Sequence, residues 1–115
     1  MPSREDVLAI RSIEEAFDLS TTTVMPRELG LIRVAAREGL LEIRRHASRA
    51  AADEDIPERD VVAAVRFGRP KRKDVDPVGL RQIGINFERT LRDGRRLRVK
   101  VSWDRRHYTV TVHTI

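Results

Sequence analysis

The segment from Arg96 to Val101 constrains the fold most, because its cations and aliphatic residues alternate one for one. The segment reads Arg-Leu-Arg-Val-Lys-Val, and successive side chains of a β-strand point to opposite faces of a sheet. A strand here has one apolar face and one face that carries Arg96, Arg98 and Lys100. A row of unmixed cations suits phosphate groups better than it suits a merely solvated surface, which would mix Lys with Thr, Ser and Glu.

The residues on either side of this segment predict a three-stranded antiparallel meander. Upstream, alternating residues from Ile83 to Leu91 lead into Asp93-Gly94, which is a hairpin signal. A three-residue loop with Gly94 in the left-handed conformation keeps the apolar residues of both strands on one face. Downstream, a tight turn through residues 104–107 leads into a last alternating strand.

This register places a carboxylate, an arginine and a histidine side by side on the wet face of the meander. Glu88 lies opposite Arg98, Arg98 lies opposite His113, and Lys100 lies opposite Thr111. A slip of two residues would pair Glu88 with Lys100 instead. The alternative interpretation of the whole face is a solvated surface with ordinary cross-strand ion pairs.

The positive charge is concentrated in the second half of the chain. Residues 1–60 contain 9 Arg and Lys against 13 Asp and Glu, a net charge of −4, whereas residues 61–115 contain 14 against 5, a net of +9. A field of that sign favours nucleic acid or another polyanion. The 115 residues are enough for one domain with a modest core.

Several classes of protein are disfavoured by composition. The chain has no cysteine, which excludes a disulfide framework, a thiolate metal site and a cysteine nucleophile. Its apolar runs are short, and its first residues lack an apolar signal core. We therefore expect no membrane span, no export and a cytoplasmic location.

Helical patterns precede the sheet. Ser3 can cap a helix with an apolar stripe, and a linker at residues 20–23 separates it from a second helix that begins at Pro26 and ends at Gly39. The stripe consists of Val7, Ile10, Ile13 and Phe17. We expect residues 1–25 to be a helical extension with a linker, and residues 26–115 to be the main domain. The stripe either covers the core of its own domain or forms a homodimer contact.

From residue 40 onward the pattern is strand, helix, helix and meander. A brief strand at residues 41–43 is followed by helices from His46 and from Pro57 and by a basic loop, Arg69-Pro70-Lys71-Arg72-Lys73. Helices that connect a first strand to a meander should cover one sheet face and leave the other open, which is an α+β arrangement. The open face is then the cationic one. The basic loop either contacts nucleic acid or is a solvated linker.

Four segments, in this order, resemble a bacterial family of small domains of unknown function, itself similar to the RelE/ParE and BrnT-like toxins of type II toxin–antitoxin pairs. They are Leu41-Glu42-Ile43-Arg44-Arg45-His46-Ala47, Ile56 to Val65, Asp93-Gly94-Arg95-Arg96-Leu97 and Val110-Thr111-Val112. The resemblance covers about residues 39–113. It implies a compact toxin fold that often acts on messenger RNA and is neutralised by a co-expressed antitoxin.

The chain departs from the family pattern at several positions. Members often carry Arg four residues after the histidine, where this chain has Ala50, and Gly before the isoleucine, where it has Asp55. The position of Arg98 is frequently His, and that of His113 is frequently Tyr. The superfamily also includes toxins that poison DNA gyrase without cutting RNA, so the resemblance leaves the activity open.

Metal-independent RNA cleavage needs a base near the 2′-hydroxyl, a cation near the phosphate oxygens and an acid at the leaving oxygen. Arg98 suits the phosphate because its planar fork can hold two oxygens. A histidine such as His113 can act as base or acid, and Glu88 competes for the base role or orients Arg98. Lys100 adds charge stabilisation. His46 is a second candidate acid, or else a structural residue at a helix boundary.

The expected function is that of a toxin-like ribonuclease that cleaves messenger RNA and is held by a small acidic antitoxin. No cofactor is expected, and no spacing of His, Asp and Glu is typical of a zinc site. Nucleic-acid contacts are expected from Arg96, Arg98, Lys100, Thr111, Lys71, Arg72 and Lys73. The alternatives are a non-catalytic module that binds nucleic acid or a protein target such as gyrase through the same face, and a catalytically inactive descendant kept for binding a partner.

Overall fold

The computed structural model describes residues 2–76 and 82–114. In these residues the helices are α1 (Arg4–Leu8), α2 (Ile13–Ala16), α3 (Pro26–Arg37), α4 (Arg45–Asp53) and α5 (Glu58–Phe67). The strands are β1 (Leu41–Ile43), β2 (Arg69–Asp74), β3 (Gly84–Thr90), β4 (Arg96–Asp104) and β5 (His107–Thr114). Residue 1 of the expected N-terminal extension, and residues 77–81 and 115 of the expected main domain, lie outside the described residues.

The five strands form one mixed sheet in the order β1-β5-β4-β3-β2. β1 pairs with β5 in parallel, and the other neighbours are antiparallel. Buried residues of the helices and the apolar side chains of β3, β4 and β5 belong to one hydrophobic core. The helices therefore cover the apolar face of the sheet, which confirms the predicted α+β class.

Both hairpins have the register that the alternation predicts. Glu88 lies opposite Arg98, and Arg98 lies opposite His113. Gly94 has φ +90°, and the N–H of Leu91 donates to the carbonyl of Arg95 at 2.7 Å, so the loop has three residues. The turn between β4 and β5 has positive φ at both central residues, 50° at Arg105 and 74° at Arg106, as a tight two-residue hairpin requires.

The basic segment that was expected to be a loop is strand β2, and this prediction was wrong. β2 is the edge strand beside β3, so the sheet has one strand more than the toxin resemblance implies and a different strand order. Pro70 and the run of charges hid the strand in the sequence. An edge strand tolerates both, because one side of it needs no ladder hydrogen bonds and charges there discourage pairing with other chains.

The N-terminal stripe spans two short helices instead of one, with Ile10 between them and Phe17 just after the second. Ser12 interrupts the expected helix, since its side chain accepts a hydrogen bond from the N–H of Glu15 and starts α2. The apolar residues still point inward: Val7, Ile10 and Phe17 are buried in the core. The segment thus covers the core of its own domain, and the exposed stripe on which the homodimer expectation depended is not present.

No helix among residues 2–76 and 82–114 is long and apolar enough to cross a bilayer.

Candidate functional site

A cavity of about 640 Å³ lies on the polar face of the sheet, opposite the helices, and strands β2 to β5 all contribute to it. Among the described residues, its lining includes four cations and two carboxylates. These are Lys71, Arg72, Arg98, Lys100, Asp74 and Glu88. Thr111 and His113 of β5 also line it. The excess of positive charge makes the cavity a favourable place for an anionic ligand.

The predicted row of Glu88, Arg98 and His113 crosses this cavity on three neighbouring strands. Arg98 Nε donates a hydrogen bond to Glu88 Oε2 at 2.9 Å, and the two side chains are 58% and 16% exposed. His113 is exposed and lies opposite Arg98 in the pairing of β4 with β5. The row is therefore open to a ligand from solvent.

The hydrogen bond from Arg98 lowers the pKa of Glu88, and the positive charges of Lys71, Arg98 and Arg96 lower it further. Glu88 is therefore a stable carboxylate at neutral pH and a weak proton acceptor. This favours Glu88 as the group that orients Arg98. Within the row, His113 is then the remaining candidate for proton transfer. The Arg98 guanidinium has further N–H donors, in a planar arrangement that matches a phosphate.

Lys100 forms the buried floor of the cavity and is not an open phosphate contact. Its side chain is 7% exposed, and its Nζ lies 2.8 Å from Asp74 Oδ2. Asn86 Nδ2 donates to the same oxygen at 3.2 Å, and Arg72 Nε lies 3.1 Å from Asp74 Oδ1. The positive charge of Lys100 is thus compensated within the protein.

The carboxylate that compensates Lys100 stays ionised. Burial raises the pKa of Asp74, but hydrogen bonds from Lys100 and Asn86, helped by the charges of Lys100 and Arg72, outweigh it and hold the pKa below its usual range. On the same face Ser102 and Thr109 are buried as well. The polar face is therefore open over the Glu88–Arg98–His113 row and closed further along β4, whereas the sequence predicted an open face throughout.

Two predicted site residues lie away from the cavity. Lys73 is on the apolar face of β2, completely buried, with its Nζ 2.8 Å from Glu28 Oε1 and 2.8 Å from the carbonyl oxygen of Asp18. It cannot contact nucleic acid in this position. His46 is exposed on α4, a helix whose Ala47 and Ala51 pack into the core on the opposite side of the sheet.

The remaining predicted contacts are on the polar face. Lys71 and Arg72 line the cavity from β2, and Thr111 lines it from β5. Arg96 is exposed at the hairpin end of the same face, opposite Thr90. Its charge reaches the site, because it contributes to the lowered pKa of Glu88.

Sequence reasoning missed two residues that shape the cavity, Asp74 and Asn86. The alternation from Ile83 to Leu91 puts Asn86 on the polar face but indicates no role for it, and in the structure it stabilises the carboxylate of Asp74. Asp74 was missed because the segment before it was interpreted as a loop. An interpretation of that segment as an edge strand would have brought Asp74 next to β3 and its neighbours.

Comparisons of the chain with protein-family models, with curated proteins and with solved structures find no match. Among residues 2–76 and 82–114, no group of three or more His, Asp or Glu side chains is arranged to hold a metal ion.

Proposed function

We propose that this protein is a toxin-like ribonuclease that cleaves messenger RNA on the polar face of its sheet without a metal ion. The observation that carries the proposal is the row of Glu88, Arg98 and His113 across an open cavity with an excess of positive charge. It combines a phosphate-binding cation with a residue type that transfers protons near neutral pH.

In the proposed reaction the 2′-hydroxyl oxygen of the RNA forms a bond to the adjacent phosphorus, and the bond from phosphorus to the 5′-oxygen breaks. The products are a 2′,3′-cyclic phosphate and a 5′-hydroxyl. Arg98 binds the non-bridging oxygens, where negative charge increases in the transition state. His113 accepts the proton of the 2′-hydroxyl while water protonates the leaving oxygen, or His113 protonates the leaving oxygen while water accepts the proton of the 2′-hydroxyl. Glu88 positions Arg98.

A cationic surface of this kind in the cytoplasm would bind RNA continuously, so the proposal includes a partner that covers it. A net-acidic antitoxin segment lying over Arg96 and Arg98 would neutralise the surface electrostatically. Purification from the native host should then give a complex with a small acidic protein. Recovery of only free monomer would contradict the antitoxin part of the proposal.

The alternative is a non-catalytic module that binds nucleic acid or a protein target such as gyrase through the same surface. One observation favours it: the charge of Lys100 is buried and compensated by Asp74, so it is not directed at a reacting phosphate. A binding module needs only the exposed cations. The two functions differ in whether His113 matters for a chemical step.

The deciding experiment is cleavage of labelled RNA by protein freed of any bound partner. We expect His113→Ala to lower the cleavage rate by about 10²–10⁴-fold and to leave RNA binding nearly intact, because proton transfer contributes to rate and little to affinity. His107→Ala is the matched control, since His107 is exposed at the start of β5 and does not belong to the row. Cleavage should persist in the presence of a chelator.

A second assay detects cleavage that requires the ribosome, which an assay with purified RNA does not reveal. The same variants are therefore assayed in a translating extract. If the wild-type protein leaves RNA intact both alone and in the extract, the ribonuclease proposal is wrong and the binding module is the better description.

A further inference from the structure

Strand β2 carries a β-bulge that changes which of its side chains face the cavity. Its pairing with β3 shifts by one residue between Pro70 and Arg72, so Lys71 is an extra residue on β2. In an unbroken strand Arg72 would lie opposite Ile85 and point to the apolar face. Because of the bulge it lies opposite Asn86, and both Lys71 and Arg72 line the cavity.

Lys73, which follows the bulge, fixes the bulged register of β2. Lys73 lies opposite Ile85 on the apolar face, and its buried ammonium contacts both carboxylate oxygens of Glu28, at 2.8 and 3.0 Å. A slip of one residue would exchange the faces of all following side chains. It would remove Lys73 from Glu28 and push Arg72 into the core. The buried pair therefore holds two adjacent cations on the polar edge.

Lys71 and Arg72 form a cationic group separate from Arg98. One strand, β3, lies between β2 and β4, and Arg72 lies opposite Asn86, which pairs with Lys100 and not with Arg98. Two strand spacings and an offset of up to two residues along the strands put the two groups about 10–12 Å apart. Arg72 is 55% exposed although its Nε lies near Asp74. Lys71 is exposed and close enough to Glu88 to affect that carboxylate. The cavity thus has two cationic groups on a diagonal across the strands.

We propose that Lys71 and Arg72 form a second phosphate subsite, so that single-stranded RNA crosses the strands with one phosphate at Arg98 and another at the β2 edge. That the ligand is RNA rests on the proposed function. The second subsite itself rests on the bulge, which places Lys71 and Arg72 on the cavity side of β2. A ligand with one phosphate fills only one group. A longer oligonucleotide contacts both, so affinity and its salt dependence increase with length.

The test is the binding of 2′-O-methyl RNA oligonucleotides, which lack the 2′-hydroxyl nucleophile and stay intact whether or not the protein is a nuclease. A dinucleotide, with one internucleotide phosphate, is compared with a hexanucleotide. We expect Lys71→Ala and Arg72→Ala each to weaken hexanucleotide binding and to reduce the slope of log affinity against log salt by about 0.7, the value for one contact to a single strand. Dinucleotide binding should be weakened less, because its one phosphate can bind at Arg98 instead.

Arg49→Ala is the matched control, because it removes one exposed cation from α4, in the helical layer on the other side of the sheet. It should leave the binding of both oligonucleotides as in the wild type. Circular dichroism and thermal melting of each variant verify that the fold is retained, as expected for exposed positions.

The outcomes separate this inference from the proposed function. If Lys71→Ala and Arg72→Ala bind the hexanucleotide with wild-type affinity and salt slope, the subsite is wrong even if the protein cleaves RNA. If both variants lose hexanucleotide affinity while the wild-type protein cleaves no RNA, the subsite stands and the ribonuclease proposal fails.

Discussion

Two ion pairs on opposite faces of the same sheet use the same chemistry in different surroundings. Lys73 and Glu28 form a pair in the core, with side chains 0% and 2% exposed. Arg98 and Glu88 form a pair on the polar face, with side chains 58% and 16% exposed. The donor–acceptor distances are nearly equal, 2.8 Å and 2.9 Å. Distance alone therefore does not distinguish a structural pair from a candidate functional one.

The difference lies in what each pair would lose if it were separated. The carboxylate of Glu28 also accepts hydrogen bonds from the N–H groups of Asp18 and Met25, at 2.8 and 2.6 Å. Through these contacts and Lys73 it connects the N-terminal segment, the start of α3 and strand β2. Removal of one partner would leave a charge in the core with no water to solvate it. On the polar face water can replace either partner, and an anion such as a phosphate can replace the carboxylate. The exposed pair can therefore exchange partners during binding.

The largest expected effect is that of Glu28→Ala on stability. We expect the free energy of unfolding to fall by about 3–5 kcal/mol, as for other buried pairs that lose one partner, because Lys73 remains buried without its carboxylate. Urea denaturation measures the change. Glu88→Ala is the matched control on the exposed pair and should leave the unfolding midpoint close to that of the wild type. Equal losses in the two variants would contradict the comparison.

The Lys100–Asp74 pair is intermediate in burial, with side chains 7% and 9% exposed. Lys100→Met should therefore lower the stability less than Glu28→Ala does. Asp74 loses the hydrogen bond from Lys100 but keeps contacts with Arg72 and Asn86. We expect a loss of about 1.5–3 kcal/mol in the free energy of unfolding, the usual value of a hydrogen bond to a charged group. Lys71→Met is the control, because it makes the same substitution at an exposed lysine. No loss in Lys100→Met would show that Asp74 is solvated after all.

The register of the two hairpins was predictable because local signals agree with one another. The alternation of Arg96 to Val101, the glycine at position 94 and the spacing of the last strand all require the same pairing. Helix α3 was predictable for the same reason, since Pro26 begins it and Gly39, with φ +70°, follows its end.

The bulged strand was not predictable because its determinants are distant in sequence. Lys73 is buried only because Glu28, 45 residues earlier, provides a carboxylate in the core. Nothing local distinguishes it from Arg72, which stays on the surface. The break at Ser12 is a different case, because the helical spacing of the apolar residues competes with a capping serine, and the cap determined the outcome.

The dependence of stability on acid pH is a smaller effect, and it tests the Lys100–Asp74 pair. Because the pKa of Asp74 is lower in the folded protein than the unfolded value of about 3.9, its contribution to stability is complete above that value and is lost as the pH falls through the folded pKa. The stability difference between wild type and Asp74→Asn should therefore be constant near neutral pH and shrink below about pH 4. Unfolding midpoints in urea at several pH values measure it, and a difference that stays constant under acid would contradict the assignment.

The smallest expected effect tests whether Glu88 competes with RNA for Arg98. Glu88→Gln removes one negative charge from the cavity lining but retains an oxygen that can accept the hydrogen bond from Arg98 Nε. RNA binding should become tighter by less than about tenfold, as expected for an exposed charge, and its salt dependence should increase. Cleavage should decrease, because the amide holds the guanidinium less firmly than the carboxylate does. Binding is measured with the uncleavable hexanucleotide and cleavage with unmodified RNA. If both quantities fall together, Glu88 contacts the RNA itself, and its role as a positioning residue for Arg98 is wrong.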